Sequence, residues 1–229
     1  MKLDRCYPIV ESASWVARLL ALGVRFVQLR VKERPVEYVR GEIDAAQSLC
    51  ARVGACLVIN DHWECALAAG CGFVHLGQTD LDSADVPALR KAGIRIGVST
   101  HSHAELDRAL TFDPDYVALG PIYPTTLKRM PWAPQGLERL REWRQLVGSR
   151  PLVAIGGLTV ERLPGVFAGG ADSAAVVSDI TCHPNPEART REWLVAVQEV
   201  PVSAHYARQV AGIPHECMAR GRLPESPHE

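Results

Sequence analysis

Short apolar segments alternate with amphipathic segments eight times along the first 200 residues. The apolar segments have the length and the Val, Ile and Leu content of buried strands, and they predict strands at 5–10, 24–30, 56–60, 73–75, 95–99, 116–120, 152–155 and 173–177. The amphipathic segments predict helices at 13–22, 37–53, 63–69, 86–92, 102–111, 137–147, 160–168 and 186–197. Eight strand–helix units favour an α/β fold in which one parallel sheet closes into a (β/α)8 TIM barrel. A doubly wound open sheet is the alternative.

Two nucleotide-binding motifs typical of open sheets are missing from the sequence. The first predicted strand is not followed by G-x-G-x-x-G, and no Walker A loop occurs. We therefore assign residues 1–200 to one catalytic barrel domain. From Pro201 the chain becomes rich in Pro, His, Arg and Glu, which predicts a poorly ordered C-terminal tail at 201–229. The triplet at 215–217, His-Glu-Cys, is a candidate metal site within it, but a solvated tail is the favoured interpretation.

Composition and charge exclude several classes of function. The formal net charge is −1, so any basic site must be local. No apolar run approaches the roughly 20 residues that span a bilayer, and residues 1–12 lack the apolar core of a signal peptide. The seven cysteines are odd in number and form no C-x-x-C pair, which predicts free thiols. We expect a cytoplasmic protein that binds neither nucleic acid nor membrane.

Three polar side chains mark the end of the second predicted strand. Gln28, Arg30 and Lys32 alternate with valine and leucine, so they share one face of the strand. In a covered sheet that face points into a closed interior, where a cation needs an anionic partner. The simplest partner is a phosphate-bearing ligand.

Other predicted strands also end in polar groups, which a barrel gathers on one rim. Asp61 and Asp80 follow the third and fourth strands, and neighbouring strands lie about 4.8 Å apart. Two converging carboxylates without Cys or paired His suit a hard cation such as Mg2+. The alternative is that Asp61 caps the helix that follows it. We interpret His75 and His101, at the same ends, as core or hydrogen-bonding residues rather than proton shuttles.

A glycine pair follows the seventh predicted strand. Gly156 and Gly157 precede an expected helix start at Thr159, and Val177 and Ser178 follow the eighth strand. This arrangement predicts a phosphate cradle made of backbone N–H groups, although a tight turn is the alternative. The rim then carries two anion sites, which implies two phosphorylated ligands or one long ligand.

Seven ordered sequence blocks resemble thiamine-phosphate synthase: VQLRVK at 27–32, IND at 59–61, HLGQTD at 75–80, IGVSTHS at 96–102, GPIYPT at 120–125, AIGG at 154–157 and AVVS at 175–178. The resemblance extends over residues 5–198 and implies a (β/α)8 barrel, a homo-oligomer and a Mg2+-dependent transferase. The implied reaction joins an aminomethylpyrimidine diphosphate to thiazole phosphate. It forms thiamine phosphate and releases pyrophosphate by a dissociative displacement.

The resemblance also implies roles for individual residues. The pyrimidine diphosphate would be held by Gln28, Arg30, Lys32, Asn60, Ser99 and Lys128. The thiazole phosphate would be held by Thr125, Thr126, Gly157, Val177 and Ser178. Mg2+ would be bound by Asp61 and Asp80. The catalytic task is to stabilise charge on the departing diphosphate, and it would fall to Arg30, Lys32, Ser99 and Lys128.

Two positions depart from the family pattern, and three rival functions are considered. Leu127 stands where a second Thr is usual, so either Thr126 supplies the hydroxyl instead or the thiazole phosphate is held less tightly. His62 stands where Arg is frequent. One rival is a thiazole tautomerase, which lacks the metal aspartates and uses a histidine near the position of His101. A second is a non-catalytic sensor that binds a thiamine precursor. A third is a sugar-phosphate isomerase or epimerase, which needs an acid–base pair inside the barrel.

Overall fold

The computed structural model describes residues 3–125 and 133–201 of the chain. Two predicted site residues, Thr126 and Lys128, lie outside the described residues. The same holds for Leu127 and for the tail from residue 202 onward.

Eight parallel strands form a closed barrel, which confirms the predicted fold. They are β1 Cys6–Val10, β2 Phe26–Leu29, β3 Cys56–Asn60, β4 Phe73–Leu76, β5 Arg95–Thr100, β6 Tyr116–Leu119, β7 Leu152–Ile155 and β8 Ser173–Val176. Each strand pairs with the next along the chain, and β8 closes the barrel by pairing with β1. A closed parallel sheet of this kind brings the C-terminal ends of all eight strands to one rim.

Helices cover the outside of the barrel between the strands. They are α1 Ala13–Ala21, α2 Val36–Val53, α3 Trp63–Ala68, α4 Asp80–Ser83, α5 Val86–Lys91, α6 His103–Thr111, α7 Gly136–Leu146, α8 Leu163–Ala168, α9 Ser178–Thr181 and α10 Pro186–Glu199. The segment predicted as one helix at 160–168 begins as a 3₁₀ turn, Val160–Arg162. Two short helices, α4 and α9, were not predicted. Among the residues that the structure describes, no helix is long and apolar enough to cross a membrane.

Aromatic side chains fill the inside of the barrel. Tyr7, Phe26, Phe73 and Tyr116 make a cycle of ring contacts, with successive centroids 4.2, 6.2, 5.5 and 6.1 Å apart. The ring of Tyr116 lies against the backbone of Gly97, where a Cβ atom would overlap three of its carbons. A glycine at this position of β5 is therefore what admits the tyrosine into the interior.

Polar residues follow this aromatic layer along the strands. Because side chains alternate faces, the residue two positions after an inward-facing aromatic also faces inward. Gln28 and His75 come two positions after Phe26 and Phe73, and both are buried. The barrel interior is thus apolar at its centre and becomes polar toward the C-terminal rim.

Candidate active site

A cavity of about 410 Å3 opens at the C-terminal rim of the barrel. Its volume is in the range of sites that bind small organic ligands. It is lined by all the predicted site residues that the structure describes, namely Gln28, Arg30, Lys32, Asn60, Asp61, Asp80, Ser99, Thr125, Gly157, Val177 and Ser178. Residues far apart in sequence therefore converge as predicted, although their roles stay predictions.

The two cations after β2 lie at an open rim, which corrects the expectation of a closed interior. Strand β2 ends at Leu29, so Arg30 and Lys32 follow the strand rather than belong to it. Gln28, inside the strand, is only 2% exposed, whereas the Lys32 side chain is 45% exposed. Arg30 and Lys32 can reach an anion in the cavity while they keep contact with water. They are therefore not buried deeply enough to require a permanent anionic partner.

A lysine and two carboxylates meet on one side of the cavity. Lys32 Nζ forms an ion pair with Asp61 Oδ2, and the Asp61 carboxyl interacts electrostatically with that of Asp80. The backbone N–H of Gly77 donates to Asp80 Oδ2 over 2.8 Å. Burial favours the neutral form of Asp61, but Lys32 outweighs it and holds the pKa of this carboxyl below its usual value. Burial and then the Asp61 charge raise the pKa of Asp80.

This arrangement fits a hard cation. Two adjacent carboxylates repel one another when both ionise, and a divalent cation relieves that repulsion. Within the described ranges, no group of three or more His, Cys, Asp or Glu side chains is arranged to hold a metal. A metal at Asp61 and Asp80 would therefore complete its coordination shell with water molecules and oxygens of a bound small molecule, as Mg2+ usually does.

Asp61 does not cap the helix that follows it, so the capping alternative was wrong. Helix α3 begins at Trp63, and its N-cap residue is His62, which makes no side-chain capping bond. Asp61 itself has a left-handed backbone, with φ of 60°. His62 Nε2 instead contacts the backbone oxygen of Val31 at 2.9 Å. The turn thus holds the Asp61 side chain at the cavity rather than over the helix end.

Asn60 lines the cavity and has a buried donor that is not used. It is 5% exposed, and its Nδ2 has no hydrogen-bond partner among the residues that the structure describes. A buried amide N–H without a partner costs about 1–3 kcal/mol. An acceptor such as a phosphate oxygen would recover that cost.

A buried histidine lies beneath Ser99. His75 Nε2 contacts Ser99 Oγ at 2.7 Å, and its Nδ1 contacts the Tyr116 hydroxyl at 2.7 Å. Burial lowers the pKa of His75 to about 4, so the ring is neutral near pH 7. His75 is therefore a hydrogen-bonding residue, as predicted.

Two tyrosines that were not predicted as site residues also belong to this part of the site. The Tyr116 hydroxyl contacts the Tyr7 hydroxyl at 2.9 Å, and Gln28 Nε2 donates to Tyr7 over 2.7 Å. Burial raises the pKa of both tyrosine hydroxyls, so they keep their hydrogens. The alternation of side chains along the predicted strands could have identified both tyrosines, because each lies on the strand face that points inward.

The glycine pair after β7 forms the opposite wall of the cavity. Gly156 and Gly157 have φ of 96° and 63°, values that favour glycine. A Cβ on either residue would collide with the β6 loop, at Pro121 and Pro124 respectively. The predicted helix start at Thr159 is instead a 3₁₀ turn without a side-chain cap. Because the glycine pair and the β6 loop lie close together, this wall of the cavity is rich in backbone groups.

The segment after β8 is held in position by partly buried polar contacts to the final helix. Asp179, next to Ser178 in α9, accepts hydrogen bonds from Arg189 Nε at 2.9 Å and from Trp193 Nε1 at 2.7 Å. Both donors belong to α10. The final helix therefore fixes the position of the Val177–Ser178 wall.

Three comparisons bear on the family of this chain. A profile described as thiamine monophosphate synthase matches residues 6–180. A thiamine-phosphate synthase of Rhizobium etli is 59% identical over 196 residues, which cover 86% of this chain and 96% of that protein. One of Klebsiella pneumoniae is 48% identical over 194 residues, covering 85% and 89% of the two chains.

A solved structure agrees with the sequence relatives. It is thiamine phosphate pyrophosphorylase from Pyrococcus furiosus, with a TM-score of 0.76 and 27% identity. The alignment covers 86% of this chain and 96% of that one. The chain therefore belongs to the thiamine monophosphate synthase family.

Proposed function

We propose that the chain joins an aminomethylpyrimidine diphosphate to thiazole phosphate, giving thiamine phosphate and pyrophosphate. The observation that carries this proposal is the meeting of Arg30, Lys32, Asp61 and Asp80 around one cavity. A site with both cations and paired carboxylates suits a diphosphate bound together with a divalent metal. The opposite glycine-rich wall suits a second phosphate.

The diphosphate end of the first substrate is assigned to the β2 and β3 side of the cavity. Arg30 can bind phosphate oxygens through two parallel N–H groups, and Lys32 acts as a nearby point charge. The unpartnered Nδ2 of Asn60 supplies a further donor. Lys128 is assigned to the same diphosphate, although it lies outside the described residues.

Asp61 and Asp80 would hold Mg2+ in this site. When bound, Mg2+ offsets the negative charge that builds on the leaving oxygens. Lys32 already neutralises part of the charge on Asp61. When the ligand arrives, this lysine can turn from the carboxylate to a phosphate oxygen, because its side chain is half-exposed.

The proposed chemistry needs no nucleophile from the protein. The C–O bond to the diphosphate breaks, and its electron pair stays with the departing oxygen. The electron-rich aminopyrimidine stabilises the positive carbon that remains, and the thiazole nitrogen then donates its lone pair to form the C–N bond. One well-aimed donor such as Arg30 can lower such a barrier by roughly 3–4 kcal/mol. Alignment of the two rings supplies a further large contribution.

The remaining contacts orient the two rings. Gln28 and Ser99 are assigned to the pyrimidine, since both line the cavity beside the buried layer. The thiazole phosphate is assigned to the opposite side, to Thr125, Thr126, Gly157, Val177 and Ser178. We also propose a cytoplasmic location, which suits the six free thiols of the described residues. A homo-oligomer, as the family resemblance implies, stays part of the proposal.

The direct test is incubation with both precursors and Mg2+, followed by mass detection of thiamine phosphate. Asp61→Asn and Asp80→Asn should each lower turnover at least a hundredfold while the fold is kept. Asp82→Asn is the matched control, because Asp82 shares helix α4 with Asp80 and its side chain is 70% exposed. Normal turnover by both metal-site variants in metal-free buffer would overturn the metal assignment.

The same experiment separates the rival functions. A tautomerase would rearrange a thiazole precursor without consuming the pyrimidine diphosphate. Its candidate histidine, His101, lines the cavity but has Nδ1 engaged by Glu105 Oε2 at 2.8 Å. A sensor would bind a precursor without turnover. Arg30→Ala should weaken pyrimidine diphosphate binding at least tenfold, and an unchanged affinity would count against its assigned role.

A further inference from the structure

Five side chains form one continuous chain of hydrogen bonds across the barrel. The order is Gln28, Tyr7, Tyr116, His75 and Ser99, with successive separations of 2.7, 2.9, 2.7 and 2.7 Å. Gln28 and Ser99, the two ends, line the cavity, and so does His75 next to Ser99. The residues between them are buried. The ends are assigned to substrate in the proposed function, but neither tyrosine has a place in it.

The hydrogen bonds in this series run in one direction, because each of the three middle residues, Tyr7, Tyr116 and His75, carries one polar side-chain hydrogen. A tyrosine hydroxyl donates once and accepts from its other neighbour, and a neutral imidazole donates from one nitrogen and accepts at the other. A break in direction would leave one tyrosine accepting from both neighbours, with its own buried hydrogen unpartnered in the chain of hydrogen bonds. Such a mismatch is costly in a water-free interior. All the links therefore point the same way.

The direction follows from Gln28. Its Nε2 donates to the Tyr7 hydroxyl, so Tyr7 donates to Tyr116 and Tyr116 donates to His75 Nδ1. The His75 hydrogen then lies on Nε2 and is donated to Ser99 Oγ. This leaves the Ser99 hydroxyl hydrogen available to the cavity. At the other end, the Gln28 amide oxygen is directed away from Tyr7.

Packing holds the middle of the chain in place. The Tyr116 and His75 rings stack with centroids 5.6 Å apart and an interplanar angle of 14°. The missing side chain of Gly97 leaves the space that the Tyr116 ring occupies. Neither the tyrosine nor the histidine can turn to another partner without disrupting this layer.

We propose that Tyr7, Tyr116 and His75 are positioning residues that couple Gln28 to Ser99 and orient the Ser99 hydroxyl as a hydrogen-bond donor toward the pyrimidine substrate. Reversal of one end alone leaves a buried hydroxyl hydrogen unpartnered, so the two ends are expected to act as a unit. An aminopyrimidine offers amine hydrogens and ring-nitrogen lone pairs. It therefore suits a site that presents an acceptor at Gln28 and a donor at Ser99. The identity of the substrate rests on the proposed function, but the coupling does not.

A double-mutant cycle measures the coupling. The dissociation constant of the pyrimidine diphosphate with Mg2+ is determined by calorimetry, without thiazole phosphate, for Gln28→Ala, Ser99→Ala and their combination. If the ends act as a unit, the combined loss of affinity is at least tenfold smaller than the product of the single losses. The cycle is then repeated in the Tyr116→Phe background, where the product and the combined loss should agree within twofold.

A control variant and a substitute variant make the double-mutant cycle decisive. Phe73→Leu perturbs a ring whose centroid lies 5.5 Å from that of Tyr116 but removes no hydrogen bond, so it should keep the coupling. Coupling that survives Tyr116→Phe, or that Phe73→Leu abolishes equally, would overturn the proposal. If Tyr116→Phe does not fold, Tyr7→Phe breaks the adjacent link and gives the same test.

The histidine tautomer tests the direction without any ligand. Nitrogen-15 NMR of the free protein should show His75 protonated at Nε2, and a hydrogen on Nδ1 would overturn the direction. If the unsubstituted chain bound no pyrimidine diphosphate, the proposed function and the substrate coupling would both fail. If it bound and turned over the substrate but lacked coupling, only this inference would fail.

Discussion

The buried neutral histidine predicts a loss of stability in mild acid. His75 has its pKa lowered from 6.5 to about 4, chiefly because burial disfavours its charged form. Between these values the unfolded chain binds a proton that the folded chain does not. The free energy of unfolding therefore falls as the pH falls from about 6.5 toward 4.

The size of the effect follows from the two pKa values. At pH 5 the unfolded histidine is almost fully protonated, while the folded one is mostly neutral. By linkage, His75 lowers the free energy of unfolding by about 2 kcal/mol at pH 5. At pH 7.5 its effect on the free energy of unfolding is close to zero. Other titrating groups add to the measured change, so the test compares a variant that lacks this histidine.

Urea unfolding of the wild type and His75→Gln at about pH 7.5 and pH 5 isolates the effect. The variant should lose about 2 kcal/mol less than the wild type over this change of pH. His103→Gln is the control, because the His103 side chain is 50% exposed and its pair with Glu142 lies on the surface. Equal losses in the wild type and in His75→Gln would refute the argument that His75 is held neutral by burial.

Three further predictions concern packing, a buried ion pair and the metal site. Gly97→Ala should lower the urea-unfolding free energy by about 1–3 kcal/mol, because the new methyl overlaps the Tyr116 ring. Asp172→Ala should cost about 3–5 kcal/mol in the same assay, since it leaves the partly buried Arg144 guanidinium without the 2.7 Å ion pair that it makes with the buried Asp172 carboxylate. Added Mg2+ should raise the melting temperature of the wild type but not that of Asp80→Asn, whose carboxylate no longer attracts a cation; equal shifts would argue against metal binding at Asp80.

Much of the fold could be predicted from the local sequence. Strands β3 and β7 have the predicted bounds, because each is an apolar run that ends at polar or glycine residues. The count of eight strand–helix units then predicted a closed barrel. The four-residue helices α4 and α9 were missed because a segment of one turn has no measurable periodicity.

The site was predicted less completely than the fold. The convergence of Asp61 and Asp80 followed from their places after neighbouring strands. The exposure of Lys32 did not, because it depends on where β2 ends rather than on the alternation of side chains. Contact between Tyr7 and Tyr116, 109 residues apart, depends on the tilt and register of the closed barrel. No local pattern in the sequence encodes that register.

The glycine pair after β7 has a mechanical consequence. Gly156 and Gly157 lie so close to Pro121 and Pro124 that two rim loops from different strands touch backbone to backbone. The two loops are also joined by hydrogen bonds, from the Ile122 N–H to the Ile155 carbonyl at 2.8 Å and from the Tyr123 N–H to the Gly156 carbonyl at 3.0 Å. A displacement of one loop must therefore carry the other with it. Any rearrangement of the glycine-rich wall would therefore also move the β6 loop, which continues toward Lys128.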